Sequence, residues 1–274
     1  MMVDTHERAS AAFSAVAPIY NGETETNSSV IQVRRIMLRR LTRQWQPGAR
    51  VLEIGCGTGV EAVALAKTGI LVAAIDVAPG MLAQTQVRCA AAGVTERVDL
   101  HHLAAANLGK LTASYAPGSF AGAYSSFGPL NCEPDLGKVA EGLHRLIRPG
   151  GRVIISAINR FHPFEFAWYA LHGDLKRAVR RWNGYAEGTV SPTLPDRVPT
   201  YYYTPGEFAR RFEPGFRVVS WRALLLFLSP PYLAHLSDKY PRYRRIAAGL
   251  DRALADKPVL RGLGDHFLIE LERC

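Results

Sequence analysis

Cysteine is scarce in this chain and long apolar runs are missing. Its 274 residues hold only four cysteines, Cys56, Cys89, Cys132 and Cys274, too scattered for a C-x-x-C pair or a zinc spacing. That excludes a disulfide framework, makes no metal site the expectation, and fits a reduced, cytoplasmic setting. The longest apolar run, Ala223 to Leu228, falls far short of the ~20 residues that cross a bilayer. No transmembrane segment is expected, so any membrane contact would be peripheral. Asp4, Glu7 and Arg8 have no apolar run behind them, unlike a signal peptide. No repeat and no low-complexity stretch is visible.

What is present is a core-forming composition with excess positive charge. Hydrophobic residues make up 48% of the chain, enough for one large or two small domains. The formal net charge is +9, gathered at Arg34-Arg35 with Arg39-Arg40, at Lys176-Arg177 with Arg180-Arg181, and at Arg242 to Arg245. Such a field attracts nucleic acid. These clusters lack the interleaved aromatic platforms of single-strand binders, so they read as solvated helix faces and no stable nucleic-acid partner is expected.

The informative stretch is Val51-Leu52-Glu53-Ile54-Gly55-Cys56-Gly57-Thr58-Gly59, followed by Ile75-Asp76-Val77. Residues 50–54 read as a strand covered on both faces. Gly55, Gly57 and Gly59 allow a tight turn and bring bare main chain against a ligand. A helix opening near Thr58 points unpaired N–H groups at that ligand. Asp76 offers an acceptor pair for two ribose hydroxyls. The dinucleotide fingerprint is broken, because its last small position is Val60. Glu53, at the strand's carboxyl end, would repel a pyrophosphate but suits a cationic ligand.

Strands and helices alternate onward. Strands are predicted at 70–76, 98–103, 120–124 and 152–157, with helices at 28–45, 79–92 and 134–147 and a short helix around 13–21. Thr204, Pro205 and Glu207 signal another helix start, strands follow at 216–228 and 266–271, and helical segments are expected around 232–237 and 243–255. Alternation calls for a parallel sheet with helices on both faces.

The motif resembles motif I of class I S-adenosylmethionine-dependent methyltransferases, with an acid ahead of G-x-G-x-G and Asp76 where that family places its ribose-binding acid. The serine-rich loop Ser125-Ser126-Phe127 resembles the small-molecule, type 11-like branch. The resemblance covers roughly residues 13–157. It implies an α/β, Rossmann-like, seven-stranded, mostly parallel sheet with helices on both faces, an antiparallel last strand and a helical lid built from insertions. It divides the chain into an N-terminal helical cap (1–45), the cofactor-binding core (46–158), lid insertions at 159–204 and 229–264, and core completed by 205–228 and 265–274. It implies S-adenosylmethionine as cofactor and S-adenosylhomocysteine as product.

By the same resemblance, the cofactor contacts fall on Tyr20, Glu53, Gly55, Cys56, Gly57, Thr58, Gly59, Asp76, Val77, Met81, Ala105, Ala106, Asn107, Ser125 and Ser126. Two departures stand out. Asn21 replaces the acid that usually follows the tyrosine. Leu103-Ala104-Ala105-Ala106-Asn107 holds no carboxylate where the family has one for the adenine amino group, leaving backbone groups, the Asn107 amide or apolar packing. Ser229-Pro230-Pro231-Tyr232 resembles the Asn/Asp-Pro-Pro-Tyr motif of base methylases but lies after the wrong strand, and reads as a turn.

Methyl transfer to a hydroxyl needs a base, and His162 and His266 are the catalytic candidates. Adjacent residues on a strand face opposite sides, so strand geometry does not let Asp265 be assumed to orient His266. The aromatic insertions suit a small, aromatic or hydrophobic acceptor methylated on O, N or C. The alternatives are an RNA methyltransferase or a non-catalytic S-adenosylmethionine-binding module. The chain is compatible with a monomer or a homodimer.

Overall fold

The central strands are buried on both faces, the first two almost without interruption, and they organise the molecule. The computed structural model describes residues 2–191 and 194–274. Pro192, within the first insertion, lies outside them. β1 (Arg50–Ile54), β2 (Leu71–Asp76), β3 (Val98–His102), β4 (Phe120–Ser125) and β5 (Ile147–Ile158) pair in parallel. β6 (Tyr185–Thr189) and β7 (Arg197–Tyr201) form a separate antiparallel hairpin. β8 (Phe216–Leu224) and β9 (His266–Arg273) complete a seven-stranded sheet of order β3-β2-β1-β4-β5-β9-β8, with β9 antiparallel to both neighbours. The expected mixed sheet with an antiparallel last strand is therefore the observed one.

Helices cover both faces. α1 (Met2–Glu25) and α2 (Ser28–Gln44) precede the sheet, and α3 (Val60–Lys67), α4 (Pro79–Ala92) and α5 (Leu136–Leu146) link its parallel strands. The first insertion adds α6 (Pro163–Leu171) and α7 (Leu175–Ala178). α8 (Pro205–Arg210) leads to β8, and the second insertion carries α9 (Ala234–Lys239) and α10 (Pro241–Leu254). Period-two alternation on β1 sends Leu52 and Ile54 into the core under α5 and α8, and Val51 into the core under α2 and α3. Complete burial of each such side chain contributes about 1.5–3 kcal/mol. Among the described residues no helix is long and apolar enough to cross a membrane.

Several element boundaries differ from expectation for identifiable reasons. α3 starts at Val60 rather than 58, because Gly57 and Gly59 both hold positive φ and Gly59 is the helix N-cap. β8 stops at Leu224, where Leu225 turns to φ 55°. The short helix expected at 13–21 is the much longer α1, which contains Pro18. Proline lacks the N–H that would bond to Ser14 four residues back, and α1 meets α4 at that point. The Gly80 N–H donates to the Ser14 hydroxyl at 3.2 Å, giving α4 a cap that its own N-cap residue Ala78 does not supply. A Cβ on Gly80 would come within 2.9 Å of the Ser14 backbone.

The basic clusters are partly internal. Arg34 pairs with Glu61 at 2.9 Å and Arg40 with Glu270 at 2.5 Å, while Arg180 and the buried Arg181 pair with Glu165.

Candidate active site

The carboxyl ends of β1, β2 and β4 converge on the glycine turn. Asp76, at the end of β2, is buried, and its two oxygens accept from separate backbone groups: Gly57 N–H at 2.8 Å and Ala78 N–H at 2.9 Å. Burial raises this carboxyl, with the N–H groups of Ala78 and Gly57 pulling the other way. Each oxygen keeps lone-pair capacity for a further donor. Gly57 adopts φ 54°, and a Cβ added there would meet nothing within 4 Å, so the turn borders open space. Gly59 differs. A Cβ on it would lie 2.5 Å from Thr85 Cγ2, and the Thr85 hydroxyl donates to Gly57 O at 2.8 Å.

Glu53, at 1% exposure, sits on the sheet face toward α2 and α3. Its Oε2 is buried without a hydrogen-bond partner among the described residues. Burial, reinforced by Glu61, pushes its carboxyl well above the usual range. Tyr20, from α1, stands near Asp76, Arg34 and Glu61, and burial lifts its phenol to about 12. Asn21 accepts from the Thr58 hydroxyl at 2.7 Å, which ties α1 to the glycine turn without an acid at that position. Cys56 is buried, with its thiol pushed up by burial.

The remaining candidates are spread over several elements. Gly55 packs against Pro129, which a Cβ would meet at 2.3 Å. Met81 is buried with Ala78, Val16 and Ala17, against Tyr20 and Phe13 of α1. Val77 and Cys132 each pack against the Ala9, Ala12 and Val198 cluster. Ser125 donates to Ile54 O at 2.8 Å, a strand-end contact, whereas the buried Ser126 hydroxyl has no partner among the described residues. Phe127 beyond it holds φ 65°. Ala105 packs against the core beside α5. Asn107 is exposed. Ala106 N–H donates to a buried carboxylate, that of Glu133, at 3.0 Å. That residue escaped the sequence reading because it follows β4, far along the chain from Ala106.

The two histidines come together in a second, buried cluster at the β5–β9 end of the same sheet edge. His266 Nδ1 lies 2.8 Å from Asp265 Oδ2. Asp265 Oδ1 accepts from Arg181 Nη2 at 2.7 Å. The Asp265–His266 pairing, left open by strand geometry, is made because Asp265 precedes β9, whose first residue is His266, so strand alternation does not govern it. Burial alone would raise the Asp265 carboxyl, but Arg181 and then His266 outweigh it and hold it far below the usual range. His162, buried with neither ring nitrogen hydrogen-bonded among the described residues, is driven down to about 4, chiefly by burial. It is neutral near pH 7.

His162, Glu165 and Asp265 bring three possible metal donors within 4.8 Å of one another. The Arg181 guanidinium already stands between the carboxylates, 2.5 Å from Glu165 and 2.7 Å from Asp265. A fixed cation occupies the place a metal ion would need.

Residues 51–151 match the family model described as a methyltransferase domain. The chain is 35% identical over 113 residues to a ubiquinone biosynthesis O-methyltransferase of Pseudomonas aeruginosa (strain LESB58), covering 41% of this chain and 46% of that protein. It thus spans about half the length of the curated relatives it matches. Among solved structures, the [4+2]-cyclase SpnF superposes with a TM-score of 0.65 at 15% identity, over 98% of this chain and 97% of that one. A geranyl diphosphate C-methyltransferase from Streptomyces coelicolor A3(2), solved with Mg2+, geranyl diphosphate and S-adenosylhomocysteine, gives 0.58 at 12% identity over 89% and 81%. These likenesses concern the fold.

Proposed function

We propose, from a chain whose residues 51–151 match a methyltransferase-domain model, an S-adenosylmethionine-dependent methyltransferase acting on an O, N or C atom of a small, aromatic or hydrophobic metabolite. The observation that carries this reading is the pairing of Asp76 with the Gly57 turn, beside open space and the orphaned buried Glu53 carboxylate. That donor set fits the cofactor. Asp76 retains acceptor capacity for ribose hydroxyls, bare backbone at Gly57 admits close approach, and Glu53 keeps a buried Oε2 without a hydrogen-bond partner among the described residues, with burial outweighing the Arg34 charge.

When bound, S-adenosylmethionine supplies a methyl group on a positively charged sulfur, a good leaving group whose C–S bond breaks as the acceptor attacks. The protein's work is chiefly positioning. Asp76 and the Gly57 turn fix the nucleoside end, Glu53 balances the cationic end, and Tyr20 with Met81 closes the cleft from α1 and α4. Where the acceptor must shed a proton, His266 takes it at Nε2. Asp265 is the positioning residue: an ionised carboxylate only accepts, so it keeps the imidazole proton on Nδ1 and leaves Nε2 free as the base. Arg181 in turn fixes Asp265. The aromatic residues of the two insertions, with Phe161, Phe166 and Trp182 exposed among them, supply apolar surface suited to such an acceptor.

Calorimetry with S-adenosylhomocysteine, followed by turnover of labelled S-adenosylmethionine on phenolic, amine and prenyl-type acceptors, tests the reading. Micromolar binding abolished by Asp76→Ala, together with methylation of a small acceptor, is the expected result. Absent binding, or turnover confined to RNA, would overturn it.

A further inference from the structure

The tip of the α6–α7 pair is apolar, basic and uncovered. Of its four cationic residues, Arg180 and Arg181 turn inward to Glu165. Lys176 and Arg177 stay exposed. Asp174 meets Arg177 at 3.4 Å, so the outward charge of the tip is net positive. The turn His172-Gly173-Asp174 is flanked by Leu171, 85% exposed, and Leu175, 64% exposed. A Cβ on Gly173, at φ 76°, would meet nothing within 4 Å. The main chain of the turn is nevertheless bonded internally. Gly173 N–H donates to Ala170 O at 3.1 Å and Asp174 N–H to Tyr169 O at 2.9 Å. Leu175, Val179 and Trp182 recur at i, i+4 and i+7. Backbone bonds join each to the next, Val179 N–H to Leu175 O at 3.2 Å and Trp182 N–H to Val179 O at 3.0 Å, which keeps the three on one side.

We propose that this tip docks on a bilayer surface containing anionic lipid, with Leu171 and Leu175 at the acyl boundary and Lys176 and Arg177 against the headgroups. Three observations favour a bilayer over an acidic protein. Side chains standing this far out need matching pockets in a protein partner, whereas lipid closes around any shape. The N–H groups of Gly173 and Asp174 already have carbonyl partners, so the turn leaves water without orphaning them. Trp182, exposed beside the aliphatic pair, suits the headgroup level, where its ring is covered and its N–H stays wet. Docking does not depend on which acceptor is methylated, and it is measured without turnover.

Vesicle sedimentation with the full chain tests this, using phosphatidylcholine alone and phosphatidylcholine mixed with phosphatidylglycerol. The wild-type chain is expected to pellet with the mixed vesicles and to be released several-fold by added salt, which screens exposed charge. Leu171→Ser combined with Leu175→Ser is expected to weaken that partition by about tenfold or more. Lys176→Glu combined with Arg177→Glu is expected to abolish the preference for anionic vesicles. Thermal unfolding of both variants checks that the fold is kept, since all four side chains are exposed. A wild-type chain that stays in the supernatant overturns the proposal and leaves the tip to a protein partner. Undiminished binding in either variant also overturns it, and moves the contact to another basic face such as Arg242 to Arg245.

Discussion

Asp265 and His266 are neighbours in sequence, yet their side chains meet, Oδ2 to Nδ1, at 2.8 Å. Asp265 lies just outside the β9 ladder, its N–H donating to Leu225 O, so its side chain is free to turn toward the ring of the first strand residue. Arg181 secures the far oxygen of the carboxylate. The imidazole thus has a defined tautomer and a Nε2 with no hydrogen-bond partner among the described residues.

If His266 is the base, His266→Ala lowers kcat by about 10²- to 10⁴-fold on an acceptor that must lose a proton. The Kd for S-adenosylhomocysteine stays unchanged. Asp265→Asn, which no longer demands a proton on Nδ1, shows the same pattern in weaker form. Wild-type turnover in both variants would dismiss the histidine from the reaction.

His162 leads to a prediction about stability instead. Burial lowers its pKa from the ordinary 6.5 to about 4, with Asp265 opposing and Arg181 assisting. The folded value lies below the unfolded one. The neutral ring's contribution is therefore complete above pH 6.5 and is lost as pH falls toward 4, amounting to about 3 kcal/mol. Urea midpoints measured at intervals from pH 7.5 to 4 should fall steeply in the wild-type chain and less in His162→Phe. Parallel declines would assign the acid sensitivity to other groups.

The legible part of this protein was the part written locally. Val51 to Gly59 and Asp76 announce strand, turn and acid within one short span, and the sheet order follows from repeating that pattern. What stayed hidden depends on distant partners. The β6–β7 hairpin carries Pro199 opposite Glu187, and a proline inside a run argues against a strand. A two-stranded sheet consists only of edges, where proline is tolerated. Pro18 similarly masked the length of α1, whose course is set by packing on α4. Glu133 was invisible because its partners, His6 and Ala106, lie 127 and 27 residues away.

The glycine turn itself separates binding from folding. Gly59→Ala places a methyl 2.5 Å from Thr85 Cγ2 at φ 75°, combining left-handed strain of about 1–2 kcal/mol with a collision inside the α3–α4 contact. Thr85 must then shift and release Gly57 O. Gly57→Ala, at φ 54°, carries similar backbone strain but meets no protein atom within 4 Å, so its methyl enters the open space next to Asp76. Thermal unfolding should therefore fall further in Gly59→Ala. Gly57→Ala should instead weaken S-adenosylhomocysteine binding at least tenfold relative to its modest loss of Tm. Wild-type affinity in Gly57→Ala would mean that the space beside the turn is not where the cofactor lies.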